Sequence, residues 1–554
     1  MGAKQYLLGD YQDNSRDLKD DAVAAFRHFR ERVSPGKADV KLGGKTWQLF
    51  TESAEERTLW MSNNDSGVTK CGFLIENADG LILDGEGAML MTRGPQDGGG
   101  LMLAQTLLVP IVVRNSRNIV IRNLAIDWHK PFMAQGRIVD VSANSIDVEV
   151  QAESRWWVWN GRLFFDLEGM RVPMQRIVAV EPETGALAPR TCDNLGNGWE
   201  MNWFVTKLDD KRVRLQGLMP EPPKVGQYIL FWMAGFDTAG RQSSAIFIEN
   251  SENIRLENVS IHHAWGMGVV AQLSRDLHLD HVNVEPRPGS GRLFSTTADA
   301  THFSRCGGSI SLTHCVIKNQ MDDGLACHGN YAEVLRRFDD HTLRVKRGHP
   351  QQRGVEITRA GATCEIVRQS DMTIVDTNRV ESITDLNSET ADIVFERPLP
   401  LEIAAGYAVE DMEFQPDVTI EDCVFKHSKP RGLLIMTAGK VRVRRSYFET
   451  AGPGIKVVGC ADRVYESGHI RDMVVEDCQF VECCKSPQWG PATLLFSPEI
   501  HHNETRTEGF HRNVTIRNNV FENCAGGMIE HRSVDNLVIE NNRELPTKES
   551  VKDP

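Results

Sequence analysis

Three aspartates in one short segment carry the clearest chemical potential of this 554-residue chain. Asp299 is followed 23 residues later by Asp322, whose neighbour is Asp323. Carboxyl groups that lie close together titrate as a coupled set, so that one stays protonated while another is ionised. General acid/base catalysis needs that combination, and glycoside hydrolysis uses such carboxyl groups on either side of the glycosidic bond. Because Asp-Asp-Gly alone is typical of a turn, the chemistry depends on how the fold uses this spacing.

Five further side chains are candidates for contacts with a sugar. Imidazole and phenol groups can hydrogen-bond to sugar hydroxyls, a guanidinium can hold a hydroxyl or tune a carboxylate, and an indole can stack on an apolar sugar face. Eight of the eleven tryptophans fall between Trp128 and Trp265, although packing in a core is an equally ordinary use of tryptophan. The candidates are His302, His328, Tyr331, Arg431 and Trp265.

A short pattern of alternating aliphatic and polar residues, followed by Asn, Asp or His, recurs along the chain. Alternation with a period of two over such short segments predicts β-strands. Aligned aliphatic positions lie 23 residues apart in three pairs: Leu256 and Leu279, Ile420 and Val443, and Ile516 and Ile539. A step of about 20 residues with long insertions is typical of solenoids, and with strands it predicts an all-β parallel β-helix.

The same register predicts where the charged residues meet. Asp299 and Asp322 are one coil step apart, and stacked parallel strands are about 4.8 Å apart, so we expect the two aspartates to be neighbours on one ladder. Arg431 has the same offset from the aligned aliphatic residue of its coil as Asp323 has in its own coil. We therefore expect Arg431 one coil beyond Asp323, on the same face.

Two long stretches interrupt the period, and their turn-rich alternation predicts antiparallel β modules inserted into coils. Helix signals are scarce, and the segment Leu18–Val33 predicts one N-terminal helix that covers the open end of the coil. The expected order is an N-terminal cap with the first coils (1–134), an inserted module (135–235), central coils with the catalytic site (236–329), a second inserted module (330–410) and C-terminal coils (411–554).

The composition is that of an ordinary globular protein. The net charge is −14, from 62 basic and 76 acidic residues, which argues against nucleic acid or an anionic membrane as partner. The twelve cysteines form no CxxC pair, so we interpret them as buried thiols and expect no metal site. Without a signal-peptide pattern or an apolar run long enough to span a membrane, the chain as written is expected to be cytoplasmic.

The segments STTADATHF and MDDGLACHGNY resemble glycoside hydrolase family 110. The resemblance implies exo-acting, inverting, metal-independent α-1,3-galactosidases, built as a right-handed parallel β-helix with inserted β-barrel modules. It also implies a wider kinship to family 28 polygalacturonases and allows a periplasmic or secreted location. After the aspartate pair the family pattern is closer to DDATNVHGTY, so His328, Gly329 and Tyr331 match whereas residues 324–327 differ. That departure concerns the sugar in the −1 subsite.

The resemblance also implies roles for individual residues. Asp322 would be the general acid that protonates the leaving oxygen, while Asp299 and Asp323 would hold and deprotonate the attacking water. The partner would be an oligosaccharide or polysaccharide with terminal α-1,3-linked galactose, and no cofactor is expected. A homodimer stays open.

Three alternatives also stay open. A β-helix glycosidase could act on a different sugar, and a β-helix polysaccharide lyase would use a Lys or Arg base, usually with Ca²⁺. The acidic charge and the lack of an evident Ca²⁺ loop count against the lyase. A glycan-binding β-helix without activity would leave the aspartate spacing unexplained.

Overall fold

The computed structural model describes residues 4–12, 19–33, 37–94, 108–167, 169–189, 191, 195, 203–233, 241–500 and 509–545. Within these ranges the chain forms one α-helix, α1 (Ala22–Arg32), and 44 strands. The prediction of an all-β fold is therefore confirmed.

The strands fall into five consecutive groups along the chain. The first coils contain β1 (Lys4–Leu7), β2 (Ala38–Lys41), β3 (Thr46–Phe50), β4 (Glu55–Leu59), β5 (Gly67–Glu76), β6 (Leu81–Arg93), β7 (Leu108–Arg114) and β8 (Arg117–Trp128). The first inserted module contains β9 (Met133–Val141), β10 (Ser145–Gln151), β11 (Trp156–Trp159), β12 (Arg162–Leu167), β13 (Met170–Val180), β14 (Phe204–Lys207), β15 (Arg212–Gln216) and β16 (Tyr228–Met233). The central coils contain β17 (Ile246–Glu249), β18 (Glu252–Ile261), β19 (Val269–Gln272), β20 (Arg275–Val284), β21 (Thr301–Ser304), β22 (Gly307–Thr313), β23 (Val316–Lys318) and β24 (Leu325–Arg337). The second inserted module adds β25 (Thr342–Arg347), β26 (Thr363–Arg368), β27 (Thr373–Asp385), β28 (Thr390–Phe395) and β29 (Tyr407–Asp411). The last coils contain β30 (Asp417–Glu421), β31 (Val424–Ser428), β32 (Leu433–Ile435), β33 (Lys440–Arg444), β34 (Tyr447–Thr450), β35 (Ile455–Val457), β36 (Glu466–Ser467), β37 (Asp472–Glu476), β38 (Gln479–Val481), β39 (Ala492–Phe496), β40 (His511–Arg517), β41 (Val520–Glu522), β42 (Gly527–His531), β43 (Val534–Glu540) and β44 (Arg543–Leu545).

One ladder of mostly aliphatic residues runs through the stacked coils. All three predicted pairs lie in register, and the two long insertions fall between successive rungs of the same ladder. Parallel pairing of each coil with the next confirms the predicted parallel β-helix. The rungs are Tyr6, Val40, Leu83, Ile121, Leu256, Leu279, Leu312, Ile420, Val443, Val475, Ile516 and Ile539.

The polar residue that follows each aliphatic stretch lies at a bend of the chain, between two consecutive segments that belong to the same sheet. These residues have left-handed backbone conformations, which Asn and Asp tolerate better than most residues. The side chains also join coils, since Asn258 Nδ2 donates to Asn123 Oδ1 at 3.1 Å. The turn residues are Asn123, Asn258, His281, His314, Asp422, Arg445, Asp477, Asn518 and Asn541.

Inside the last coils, four phenylalanines form a stack. Successive ring centroids of Phe425, Phe448, Phe480 and Phe521 are 5.1, 4.9 and 5.0 Å apart, and the rings are within 14° of parallel. All four side chains are buried. The coil step thus builds a continuous apolar core from repeated residues.

The two inserted modules are antiparallel. In the first, β9–β16 form one eight-stranded sheet in the order β11-β12-β13-β16-β9-β10-β15-β14. In the second, β24–β29 pair around a closed cycle and enclose their own apolar core. Strand β24 begins in the β-helix and continues into this barrel, so it crosses the boundary between central coils and second module that the sequence predicted at 329/330. The expected limit at 235 falls in residues 234–240, outside the described residues.

The helix α1 packs on the first coils. It begins after Asp21, whose carboxylate accepts hydrogen bonds from the N–H groups of Val23 and Ala24, as an N-cap does. Phe26 lies 4.8 Å from the ring of Phe73. The helix is shorter than the predicted segment, whose first residue, Leu18, lies outside the described residues. Among the described residues, no helix has the length and apolar character needed to cross a membrane.

Candidate active site

The predicted aspartates lie at the floor of a cleft of about 520 Å³. Side chains from the first coils, the central coils, the last coils and both inserted modules form its walls, because the cleft opens between the stacked strands and the two modules. The lining includes Asn63, Arg176, Arg241, Asp299, His302, Asp322, Asp323, His349, Gln351, Lys429, Arg431, Glu466 and Trp489.

The three aspartates converge, but their register differs from the prediction. Thr301 pairs with Leu325, so the coil step here is 24 residues, and Asp299 is the counterpart of Asp323. The expectation that Asp299 and Asp322 share a ladder is therefore wrong by one residue. The step is longer than 23 because it belongs to a different sheet from the aliphatic ladder that defined the period. One oxygen from each carboxyl group still lies within 4.8 Å of the others.

Two guanidinium groups neutralise part of this negative charge. Arg431 donates two hydrogen bonds to Asp323, at 2.7 and 2.9 Å, from the ladder position predicted for it. Arg241 Nη2 donates to Asp322 Oδ2 at 2.6 Å and Arg241 Nη1 donates to the carbonyl of Asn63 at 3.0 Å. The bidentate pair of Arg431 and Asp323 is strong and fixes geometry, whereas Arg241 holds Asp322 through a single charge-assisted hydrogen bond.

The three carboxyl groups differ in their affinity for protons. Burial, together with the charge of Asp322, raises the pKa of Asp299 to about 8. Burial also raises the pKa of Asp323, against the opposing effect of Arg431. For Asp322 the effect of burial is outweighed by Arg241 and other cations, so its pKa is below the ordinary value. These effects together favour a proton on Asp299 and a charge on Asp322.

The predicted residues His302 and His328 lie at and behind the cleft floor. Their side chains are only 1% and 0% exposed. His302 Nδ1 is 2.7 Å from Asp299 Oδ2, and His302 Nε2 is 3.2 Å from His328 Nε2. His302 reaches the cleft lining, whereas His328 contacts His302 and the carbonyl of Gly329. The expectation that His328 contacts a sugar is corrected by its burial.

Trp265 and Tyr331 lie away from the cleft lining. Trp265 packs 5.0 Å from the ring of Phe132, and its indole N–H donates to the carbonyl of Lys130. Tyr331 is 1% exposed and pairs with Glu410 between β24 and β29. Both expectations of sugar contact are corrected, because the barrels and coils bury these rings in structural contacts.

Several cleft residues were not predicted from the sequence. Arg241 follows the first inserted module. Glu466 lies in the short strand β36 of the last coils of the β-helix, in a segment outside the repeated pattern. Arg176 lies on β13 of the first module and packs 3.6 Å from the ring centroid of Trp232. Lys429 lies 4.6 Å from the same ring. Of these residues, only Lys429 could have been placed near the site from the coil spacing, because it lies two residues before Arg431.

Among the described residues, three groups of side chains have the donor types and spacing that could hold a cation, and two of these groups are largely buried. One is the aspartate set itself, where Arg241 and Arg431 already supply two positive charges. The other is Glu365, Glu410 and His469, beneath the second module. There Arg471 donates to Glu365 at 2.8 Å and to His469 at 3.0 Å.

Known proteins match the chain along most of its length. Residues 134–229 match the family model of GLAA-B beta-barrel domain I, residues 342–409 match GLAA-B beta-barrel domain II, and residues 412–544 match the right handed beta helix region. Alpha-1,3-galactosidase A from Shewanella woodyi is 29% identical over 508 residues, covering 91% of this chain and 79% of that protein. An alpha-1,3-galactosidase B from Phocaeicola vulgatus is 30% identical over 534 residues, covering 91% of this chain and 85% of that protein.

The solved structures that match this chain include the exopolygalacturonase from Thermotoga maritima. It covers 97% of this chain and 92% of its own, with a TM-score of 0.37 and 8% identity. The two barrel matches coincide with the inserted modules, and the galactosidase matches run through the helix and the aspartate segment. The chain therefore belongs to the alpha-1,3-galactosidase family, glycoside hydrolase family 110.

Proposed function

We propose that this chain is an inverting exo-glycoside hydrolase that releases terminal α-1,3-linked galactose from oligosaccharides or polysaccharides. The observation that carries the proposal is the convergence of Asp299, Asp322 and Asp323 at the floor of one cleft. Clustered carboxyl groups with separated pKa values can donate and accept protons in one reaction. The sugar and its linkage follow from the relatives, which are named alpha-1,3-galactosidases.

The shape of the cleft supports action at chain ends. Arg176 of the first module, His349 and Gln351 beside the second module and Trp489 of the last coils wall the cleft on several sides. A volume of about 520 Å³ lies in the range of sites that enclose a small ligand. A terminal sugar enters such a site end-on, whereas the interior of a long polymer needs an open groove.

Asp322 is proposed as the general acid. Its side chain is 27% exposed, against 5% for Asp299 and 3% for Asp323, so it is the carboxyl group that a glycosidic oxygen in the cleft can reach. The Arg241 guanidinium helps to hold the pKa of Asp322 below its ordinary value, so Asp322 is ionised while the two groups are in contact. Sugar binding must therefore weaken the contact between Arg241 and Asp322 before Asp322 can carry a proton.

Asp299 and Asp323 are proposed to hold and deprotonate the attacking water. Inverting enzymes usually separate acid and base carboxyl groups by about 6.5–9.5 Å, and retaining enzymes by about 5–5.5 Å. The closest oxygens here are within 4.8 Å, so separation is not the support for inversion. Inversion is supported by the presence of a third carboxyl group. A retaining reaction needs two carboxyl groups, a nucleophile and an acid/base. An inverting reaction accounts for all three here, because Asp322 is the acid while Asp299 and Asp323 together hold the attacking water.

The experiment is a hydrolysis panel with galactosyl disaccharides linked α-1,3, α-1,4 and α-1,6, and with a longer oligosaccharide that ends in α-1,3-galactose. We expect free galactose as the first product, from the α-1,3-linked substrates only. Internal cleavage of the oligosaccharide would contradict the exo mode. An unsaturated product that absorbs in the near ultraviolet would indicate a lyase, and no turnover of any substrate would contradict the proposed function.

A further inference from the structure

A buried chain of hydrogen bonds leads from Asp299 away from the cleft. Asp299 Oδ2 is 2.7 Å from His302 Nδ1, and the two histidine Nε2 atoms are 3.2 Å apart. His328 Nδ1 is 2.7 Å from the carbonyl oxygen of Gly329, and His328 Nε2 is 3.7 Å from Glu466 Oε1. Asp299 and Glu466 both line the cleft, so this series of contacts starts and ends at the surface of the cleft.

The carbonyl of Gly329 determines where the protons lie in this chain. A carbonyl oxygen only accepts, so His328 Nδ1 must carry a hydrogen. If His328 is neutral, its Nε2 accepts, and His302 Nε2 must donate to it. A neutral His302 then accepts at Nδ1, which requires Asp299 to donate the hydrogen bond between them. The resting pattern therefore has a protonated Asp299, a neutral His302 and a neutral His328.

A second pattern satisfies every hydrogen bond with the same number of protons. The Asp299 O–H bond breaks as a bond forms between that proton and His302 Nδ1, while the His302 Nε2–H bond breaks as its proton bonds to His328 Nε2. Asp299 is then a carboxylate, His302 is still neutral and His328 is an imidazolium. No proton enters or leaves the protein, and the new positive charge lies 3.7 Å from the carboxylate of Glu466.

We propose that His302 and His328 form a proton relay that converts Asp299 from its protonated form to the base form needed by the reaction. The relay rests on the proposed function, in which Asp299 deprotonates the attacking water. Both histidines are positioning residues, because they act through Asp299 rather than on the sugar.

The charges around the relay favour both of its ends. Asp299 faces Asp322, Asp323 and Glu466, which oppose its ionisation, and Arg241 and Arg431, which favour it. Burial, followed by the charge of His328, lowers the pKa of His302 far below the ordinary value. His302 therefore passes a proton on without keeping one, and Glu466 offsets the charge that arrives on His328.

The test is the pH profile of kcat/KM for His328→Gln on the α-1,3-linked disaccharide. Glutamine can keep hydrogen bonds in place of the imidazole but cannot accept a proton, so Asp299 could ionise only by losing its proton to solvent. The acidic limb should then move up towards pH 8, near the pKa of Asp299. At pH 6, two units below that value, kcat/KM should fall about 100-fold, and it should recover as the pH rises.

The matched control is His263→Gln. His263 is also fully buried, but it bonds to the N–H of Phe132 and to the carbonyl of Ser295 rather than to an aspartate. We expect its pH limbs to coincide with those of the unaltered protein, whatever its unfolding temperature. An equal loss of kcat/KM at every pH in His328→Gln, or an unshifted acidic limb, would overturn the relay.

Nitrogen-15 spectra of histidine-labelled protein separate this proposal from the proposed function, since they need no turnover. At neutral pH we expect His328 to carry a hydrogen on Nδ1 and His302 to carry one on Nε2. A His302 protonated on Nδ1 beside a neutral His328 would overturn the relay, even if galactose is released. Failure to hydrolyse any galactoside would instead overturn the function and leave these spectra as the test of the hydrogen-bond pattern.

Discussion

The turn ladder of the helix and the floor of the cleft use the same stacking geometry for opposite purposes. At the turn ladder, Asn258 stacks on Asn123, and in the last coils Phe448 stacks between two other phenylalanines. At the cleft floor, Asp299, Asp323 and Arg431 occupy equivalent positions of three successive coils. Like residues that stack without charge stabilise the helix, whereas stacked carboxyl groups raise one another's pKa and store the capacity to move protons.

The comparison shows that the same repeated geometry can serve stability at some positions and chemistry at others, depending only on which residue types are stacked there. The neutral ladders satisfy their hydrogen bonds and fill the core, so their loss should change the free energy of unfolding and leave the reaction intact. The cluster of three aspartates is held by Arg431 and Arg241, and its loss should change the reaction first. The following substitutions test that separation.

The largest effect is expected for the aspartates. Asp322→Asn and Asp299→Asn should each lower kcat/KM on the α-1,3-linked disaccharide by about 10²–10⁴-fold, because a carboxamide neither donates nor accepts the transferred proton. The unfolding temperature of Asp299→Asn at neutral pH should be unchanged or higher, since burial raises the pKa of Asp299 to about 8 and folding must otherwise protonate this carboxyl group. Initial-rate kinetics and calorimetry measure the two quantities. Undiminished turnover in both variants would contradict the assigned chemistry.

The phenylalanine stack should show the reverse pattern. Phe448→Ala removes a fully buried ring and should lower the free energy of unfolding by about 3–5 kcal/mol. The value of kcat/KM should not change while the protein is folded, because the stack does not line the cleft. Denaturant titration gives the first quantity. A loss of activity at temperatures where the variant is folded would show that the two regions are coupled.

Arg241→Gln should have an intermediate effect on the reaction. We expect kcat/KM at its optimum to fall by about 10–100-fold, because Asp322 loses the contact that fixes its position. Without the cation, the pKa of Asp322 should rise, so that the basic limb of the kcat/KM profile moves to higher pH. A basic limb that moves to lower pH would contradict Asp322 as the acid.

The smallest effect is expected at the turn ladder. Asn258→Ala replaces a residue that tolerates the left-handed backbone conformation at this position (φ 53°) with one that tolerates it less, and should cost about 1–2 kcal/mol of unfolding free energy. Asn258→Gly removes the same side chain without that backbone strain and is the matched control. Equal losses in the two variants would mean that the side-chain ladder, rather than the backbone conformation, carries the stability.

The fold could be predicted because its period is written in the sequence. The pairs Leu256–Leu279 and Ile420–Val443 gave the coil step, and the same step led to the contact between Asp323 and Arg431. A ladder in a parallel sheet repeats one geometry, so a residue offset in one coil carries over to the next. The offset can be transferred in this way only when both positions belong to the same sheet of the β-helix.

The rest of the site escaped prediction for three physical reasons. Asp299 lies on a different sheet from the aliphatic ladder, where the step is 24 residues, and a shift of one residue changed its counterpart to Asp323. Arg241 and Glu466 come from segments outside the repeat, so spacing says nothing about them. Trp265 and Tyr331 have side chains that suit both a sugar and a core, and only packing decides between these uses.

The central claim is that the three aspartates clustered at the cleft floor direct a water molecule onto the terminal galactose. Proton NMR during hydrolysis of the α-1,3-linked galactosyl disaccharide tests it most directly, because the first-formed anomer is visible before mutarotation. Inversion predicts that β-galactose appears first and that α-galactose grows only later. An initial excess of α-galactose would instead mean retention through a covalent intermediate on one of the aspartates. That result would contradict the water-activating roles assigned to Asp299 and Asp323.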